Sequence, residues 1–427
     1  MRICMLSVHT CPLAALGGKK TGGMNVYVRD LAKEFARRGH DVHVFTRSQD
    51  VCAPKLSHEL GPNCEVIHIP AGPETPIETD DVSAYLEEFA EGVLAFAAAQ
   101  GEGYDVIHSH YWLSGLVAER LRAAWGAPIV QMFHTLGIMK NEVAAYTGEQ
   151  ASEARIAAER RIMAFADRIT AASPLEKTQM VWQYGAPADR VAVVPLAVNH
   201  HRFHPIPQEA AKRHLDIAQE KKLVLFVGRI EPLKGVDTLL RAMRRVFDAW
   251  PGCRQRLCLV VIGGDANVPR AQMSAEMARL LEVRSQLGLG DLVAFLGRRN
   301  QEILPYYYSA ADVVVVPSHY ESFGLVALEA MSCGTPVIAT RVGGLSFTVL
   351  EGITGYQVAD GDDEAMADRI LHVLQEDDLR RRLGMQAQEI AACYRWPDVA
   401  AQLEALFVAA GAGRGIRLAL PQAAGVA

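Results

Sequence analysis

Glu321 and Glu329 lie eight residues apart in Ser318-His-Tyr-Glu-Ser-Phe-Gly-Leu-Val-Ala-Leu-Glu-Ala-Met-Ser-Cys-Gly-Thr-Pro336. The run before them, Asp312-Val-Val-Val-Val-Pro317, reads as a buried parallel strand. The chain then turns through Glu321-Ser-Phe-Gly324, and a helix opens near Leu325. Glu321 therefore falls in the turn at the strand's carboxyl end and Glu329 a turn or two into the helix, at the edge where open α/β sheets bind ligands. Carboxylates accept hydrogen bonds from vicinal hydroxyls, which ribose and hexoses present. An exposed acidic turn beside a solvated helix glutamate is the plain alternative.

Positive charge is predicted at the same edge. Val227-Gly-Arg-Ile-Glu-Pro-Leu-Lys-Gly235 follows the first strand of the second half and leads into a helix near Asp237. Arg229 offers a forked donor and Lys234 a point charge, a pair suited to a departing diphosphate. Arg299, in Leu296-Gly-Arg-Arg-Asn300, ends a further strand. In the first half, the turn after Ser7 carries Gly17, Gly18, Gly22 and Gly23 with Lys19 and Lys20, ahead of a helix near Asn25. Backbone N–H groups at a helix start hold anions, and glycine permits close approach. The spacing fits neither G-x4-GK[ST] nor G-x-G-x-x-G. A flexible surface loop is the alternative there.

Three imidazoles stand at strand ends. His108 and His110 are two apart and share a face of one strand. His134, in Met132-Phe-His-Thr-Leu136, either faces the cleft or is a hydrogen-bonded core histidine. A zinc pair at His108 and His110 lacks an evident third ligand. His200, His201 and His204 fall in a Pro-rich stretch that reads as a linker. No serine or cysteine is paired with a base, and Asp80-Asp81 and Asp362-Asp363 read as solvated turns, so no metal site is expected.

The elements that must position these groups alternate strand and helix in both halves, which predicts α/β domains with parallel sheets. Strand candidates are 2–7, 41–46, 65–69, 105–110, 128–133, 168–172 and 190–195, then 222–227, 257–262, 292–296, 312–317, 336–340 and 355–358. Helix candidates in the first half are 25–38, 83–100, 114–124, 151–165 and 174–184. At 427 residues the chain exceeds one ordinary core. Expected boundaries are 1–200 and 207–394 for two domains, 395–410 for a last helix and 411–427 for a flexible tail. With 43 basic and 49 acidic residues, net −6, there is no footprint for nucleic acid. The eight cysteines show no C-x-x-C spacing and read as reduced thiols. No stretch approaches the ~18 apolar residues of a membrane span, and the expected location is cytoplasmic.

Together these residues resemble the retaining glycosyltransferases of family 4, over roughly residues 1–410. Ser7-Val-His-Thr10, Gly22-Gly-Met-Asn-Val-Tyr-Val28, His108-Ser-His-Tyr-Trp-Leu-Ser-Gly115, His134-Thr-Leu136 and Ser152-Glu-Ala-Arg155 are similar to the branch that glycosylates inositol phosphate. The resemblance implies the GT-B fold: two Rossmann-like parallel-sheet domains facing a cleft, with a C-terminal helix crossing back to the first domain. It implies a hexosyltransferase that moves a hexose or N-acetylhexosamine from a UDP-sugar, UDP-GlcNAc or UDP-glucose, to a small polar acceptor such as inositol phosphate. The UDP-sugar is the donor substrate, and no further cofactor is implied. Gly23 would lie beneath the donor diphosphate, with Arg229 and Lys234 binding it and Arg299 near the nucleotide. Glu329 would hold the ribose. Glu321, with Ser322, Phe323, Gly324 and Leu325, would hold the sugar that His134 contacts. The catalytic set would be His134, Arg229, Lys234 and Glu321. His9, Lys20, Thr21, Asn25, Tyr111, Thr135 and Arg155 match acceptor-side positions. A homodimer is left open. The branch has a lysine for the acceptor phosphate where Ala71–Asp81 here has none, so Lys19, Lys20 or Arg155 would have to supply that charge. The alternatives are a sucrose-phosphate-synthase-like glucosyltransferase, an epimerase or hydrolase of the nucleotide-sugar, and a non-catalytic nucleotide-sugar sensor.

Overall fold

Short apolar runs, each too brief for a helix and bounded by turn residues, pair into two sheets. The computed structural model describes residues 1–14, 21–101, 103–148, 150–266, 268–416 and 418. The first sheet contains β1 (Arg2–Leu6), β2 (Asp41–Arg47), β3 (Leu56–Ser57), β4 (Cys64–Ile69), β5 (Val106–His110), β6 (Ile129–Met132), β7 (Arg168–Ala171) and β8 (Val191–Val193), in the order β3-β4-β2-β1-β5-β6-β7-β8. The second contains β9 (Lys222–Val227), β10 (Leu257–Ile262), β11 (Val293–Gly297), β12 (Val313–Val316), β13 (Val337–Thr340) and β14 (Gly355–Val358), in the order β11-β10-β9-β12-β13-β14. Every pairing is parallel except β3 with β4.

In both sheets the order reverses beside the first strand of the half: β1 lies between β2 and β5, and β9 between β10 and β12. Such switch points open a crevice at the strands' carboxyl ends. The four valines of β12 are all buried, as a strand covered on both faces requires. Helix starts are set locally. Ser173 accepts from the Glu176 N–H with Pro174 in the first turn of the helix Pro174–Tyr184, and Ser152 does the same for the Arg155 N–H.

The expected strands form, with ends shifted by a residue or two. β3 was not expected: two residues carry no period to read, and it joins only as an antiparallel edge. The helices Gly137–Glu142 and Ala144–Thr147 were also not expected, and the helix expected over 114–124 starts at Tyr111. Residues 81–85 form a 3-10 turn ahead of the helix Leu86–Ala99.

The last helix, Trp396–Ala412, returns to the first half. Its Glu404 carboxylate accepts from Arg38 Nε and Nη2 at 2.7 and 2.6 Å and meets His40 Nε2 at 2.8 Å. Burial pushes this carboxyl up, but the bonds from Arg38 and His40 outweigh it and leave it below its ordinary value. Phe407 packs against Phe35 and the His108 ring. The expected flexible tail lies outside the described residues from 419 onward. All eight cysteines are free. Among the described residues no helix is long and apolar enough to cross a membrane.

Candidate functional site

The strand ends of the second sheet bring opposite charges together. After β9, the turn Pro232–Lys234 closes on Gly235, whose φ is 61°. A Cβ there would stand 2.1 Å from the Pro317 carbonyl oxygen at the end of β12, so only glycine permits this approach. The turn delivers Lys234 Nζ to 2.5 Å from Glu321 Oε2. Arg229 Nη1 reaches Glu231 Oε1 at 2.6 Å. Arg229 and Leu325 also face the first domain: a Cβ on Gly22 would lie 3.5 Å from Arg229 Nε, and one on Gly23 3.3 Å from Leu325 Cδ1. Gly23 opens the helix Gly23–Arg37, so bare helix-start backbone abuts the strand-end turns of the second sheet. Arg299 sits two strands away from β9, beyond β11, and its described hydrogen bond goes to the Arg298 carbonyl.

Glu329 sits inside the helix Leu325–Ser332 and is 6% exposed. Its Oε2 accepts from the Tyr308 hydroxyl at 2.7 Å. Burial pushes its carboxyl up to about 7, against the Tyr308 bond and helped by Asp30. Sequence reasoning missed Tyr308, which lies in the apolar helix Leu304–Ala310 and looks like ordinary core.

The Glu321–Leu325 turn is moulded from behind. Gly344 N donates to the Glu321 carbonyl at 2.9 Å. A Cβ on Gly344 would lie 2.3 Å from Ser322 O and 2.4 Å from Phe323 Cα, and one on Gly343 1.9 Å from Glu321 O. Those contacts are backbone and cannot swing aside. Gly344→Ala is expected to raise the donor KM about tenfold or more and to lower the unfolding temperature, because the backbone of the turn must shift to admit the methyl group. Steady-state kinetics beside a melting curve reads this. An unchanged KM would remove the glycine pair from positioning the turn.

Three non-glycine residues among those described have positive φ, and two of them, His134 (62°) and Tyr111 (76°), lie on the facing domain. Such strain persists where surroundings enforce it, commonly at functional sites. The His134 carbonyl accepts from Ser322 Oγ at 2.5 Å, a bond between the domains. His134 Nε2 meets His110 Nδ1 at 3.1 Å. The Tyr27 ring lies edge-on to both imidazoles. His108 packs against His110 with ring centroids 4.2 Å apart, and neither of its nitrogens has a partner among the described residues. Burial lowers His108 and His134 to about 3 and His110 well below its ordinary value.

The acceptor-side candidates divide. His9 lies against Tyr111 at 4.4 Å, and the Arg155 guanidinium covers the Tyr111 ring at 4.9 Å. Arg155 Nη2 donates to Thr135 O and Oγ1 at 3.0 and 3.1 Å, and Nε to Glu159 at 2.8 Å. Glu159, fully buried, also accepts from Gly137 N at 2.9 Å and Tyr184 OH at 2.6 Å. It was missed because a helix glutamate four residues from an arginine reads as a surface pair. Asn25 is 1% exposed and is spent on the loop: Nδ2 donates to Thr10 Oγ1 and Cys11 O, and Oδ1 accepts from Gly22 N. Thr21 directly precedes that Gly22 turn, and Lys20 lies outside the described residues.

In the segment without lysine, buried Arg47 donates to the Pro73 and Thr75 carbonyls, and Glu74 pairs with Lys55. Asp362 caps the helix Asp363–Gln375, and Asp363 pairs with Arg245, so both have structural duties. Among the described residues no group of three His, Cys, Asp or Glu could hold a metal ion.

The sequence family described as glycosyl transferases group 1 matches residues 207–390, and the glycosyl transferase 4-like domain matches 22–197. The chain is similar to D-inositol 3-phosphate glycosyltransferase of Saccharomonospora viridis, 42% identical over 92% of this chain and 91% of that one. It is 40% identical to the protein of that name from Actinosynnema mirum, over 97% of this chain and 98% of the other. Among solved structures, sucrose-phosphate synthase from Thermosynechococcus elongatus superposes with a TM-score of 0.87 at 36% identity, covering 95% of this chain and 98% of the other. Anabaena HepE, solved with UDP-glucose, shares the fold at a TM-score of 0.73 and 22% identity, covering 95% and 98%.

Proposed function

Because the chain belongs to the family 4 glycosyltransferases of GT-B fold, we propose that it transfers a hexose or N-acetylhexosamine from a UDP-sugar to a phosphorylated polyol, with retention at the anomeric carbon. The observation that carries this reading is the convergence of Lys234, Glu321, Arg229 and buried Glu329 on the cleft edge of the second sheet, opposite His134. Glu329 would accept from the ribose hydroxyls in place of Tyr308. Arg229 and Lys234 would neutralise the diphosphate as the glycosidic bond breaks, acting where charge develops. Glu321 and the backbone of the moulded turn would hold the sugar. The acceptor hydroxyl would attack from the face the UDP leaves, passing its proton to a phosphate oxygen. Arg155 Nη1 has no hydrogen bond among the described residues and supports an anionic acceptor on that side.

The test incubates the protein with UDP-GlcNAc or UDP-glucose, with and without 1D-myo-inositol 3-phosphate, and measures released UDP. Release that requires the inositol phosphate is expected. Release from neither donor with any acceptor would sink the reading. The anomeric coupling of the product decides retention. A second reading, glucose transfer to a phosphosugar, is favoured by the sucrose-phosphate synthase likeness and by the lysine-free segment at Glu74–Asp81. Fructose 6-phosphate in the same assay separates the two.

The position of Glu329 adds a pH dependence. Only the carboxylate accepts from both ribose hydroxyls, and its value of about 7 leaves roughly a tenth ionised at about pH 6. Donor KM is expected to rise about tenfold between pH 8 and pH 6, in proportion to the lost competent fraction. A flat KM over that range would take Glu329 out of ribose binding.

A further inference from the structure

His110 has no assigned part in the site, yet it is fully buried and touches the residue that faces the donor turn. The fold brings the two histidines together by register. His110 ends β5 opposite Met132 at the end of β6, and His134 follows two residues later. His134 is held in its left-handed conformation from the other domain through Ser322. One nitrogen of its ring, Nε2, is occupied by His110, and the other, Nδ1, has no hydrogen bond among the described residues.

We infer that His110 is a positioning residue that donates from Nδ1–H to His134 Nε2, fixing His134 as its Nδ1–H tautomer, so that His134 offers the transferred sugar a donor. The inference rests on the reading that the sugar lies between His134 and Glu321.

Both rings are neutral, since burial and neighbouring imidazoles disfavour a charge on either. A neutral imidazole carries one N–H, so only two arrangements make the 3.1 Å contact a hydrogen bond. If His134 donated, the proton of His110 would have to sit on Nε2. That atom is buried and has no partner among the described residues. If His110 donates, its Nε2 carries only a lone pair. A buried N–H without an acceptor is the rarer and costlier of the two in folded proteins. The chemistry at the sugar follows. A hydroxyl oxygen accepting from His134 Nδ1–H keeps its own proton for a second partner, and the acidic Glu321 across the turn accepts such protons.

The experiment reads the tautomer directly. Protein labelled with 15N-histidine gives, in a long-range proton–nitrogen correlation, separate patterns for the two tautomers. His134 is assigned by its disappearance in His134→Gln. The expected wild-type pattern has a protonated Nδ1 and a bare Nε2 on His134; a protonated Nε2 would overturn the proposal without any variant of His110. His110→Phe removes the donor and is expected to mix the two tautomers and lower turnover about three- to tenfold, the scale of one hydrogen bond, with UDP affinity unchanged. His110→Asn, which can donate from a similar place, is expected to recover most of the rate. A loss of UDP affinity equal to the loss of rate, with no recovery in His110→Asn, would overturn the positioning role. A wild-type protein that turned over no nucleotide-sugar would refute the donor reading instead, while the ligand-free spectrum still decided the imidazole pair.

Discussion

Lys234→Ala is expected to lower kcat by about 10²–10³, the cost of losing one preorganised donor to charge that grows in the transition state. The loss is amplified here because Lys234 is not a free cation. Its ammonium holds Glu321 at 2.5 Å in a partly buried pair. Removing it leaves a carboxylate facing the proposed diphosphate, where like charges repel. Lys234→Arg keeps the positive charge beside Glu321 but replaces the point charge by a planar fork, and is expected to recover part of the rate. Single-turnover release of UDP measures the effect without product dissociation. Wild-type turnover in Lys234→Ala would end the diphosphate role.

Glu159→Ala carries the largest expected effect on stability. Its carboxylate accepts from Arg155, Tyr184 and the Gly137 backbone, and neither it nor Arg155 is more than 6% exposed. Deleting one partner of a buried ion pair strands the other charge, at a cost of about 3–5 kcal/mol. The midpoint of urea unfolding is expected to fall accordingly. Acceptor KM is expected to rise as well, because Arg155 then loses the anchor that holds it over Tyr111 and against Thr135. Glu159→Gln keeps three contacts in outline but not the charge, and is expected to fall between. A midpoint within about 0.5 kcal/mol of wild type in Glu159→Ala would show that Arg155 finds another counter-charge.

Which parts were legible follows from the range of each signal. Strands such as Val313–Val316 announce themselves because a buried strand must be apolar throughout, and Gly235 and Gly324 fall where turns leave strand ends. The charged set at Arg229, Lys234, Glu321 and Glu329 could be read because each lies in the turn or helix that directly follows a predicted strand, 222–227 or 312–317. Their partners could not. Tyr308 bonds Glu329 across 21 residues, and Ser322 bonds His134 across 188. No local period encodes such pairings. The imidazole pair was half-visible: histidines at the ends of successive strands were read, but not that register would set His110 Nδ1 against His134 Nε2. Asn25 shows the converse. The resemblance set it on the acceptor side, while in the structure its amide bonds Gly22, Thr10 and Cys11 of the loop.

The hydroxyl of Ser322 on the His134 carbonyl has a consequence for timing. With Arg29 also reaching Gln301 across the cleft, side-chain hydrogen bonds tie the two domains at two separate places. Any opening of the cleft at this seam breaks both bonds. Domain motions of this kind run on microsecond to millisecond scales and often limit turnover. Turnover should slow in viscous sucrose-free cosolvents such as glycerol, and Ser322→Ala, by loosening the latch, should weaken that dependence.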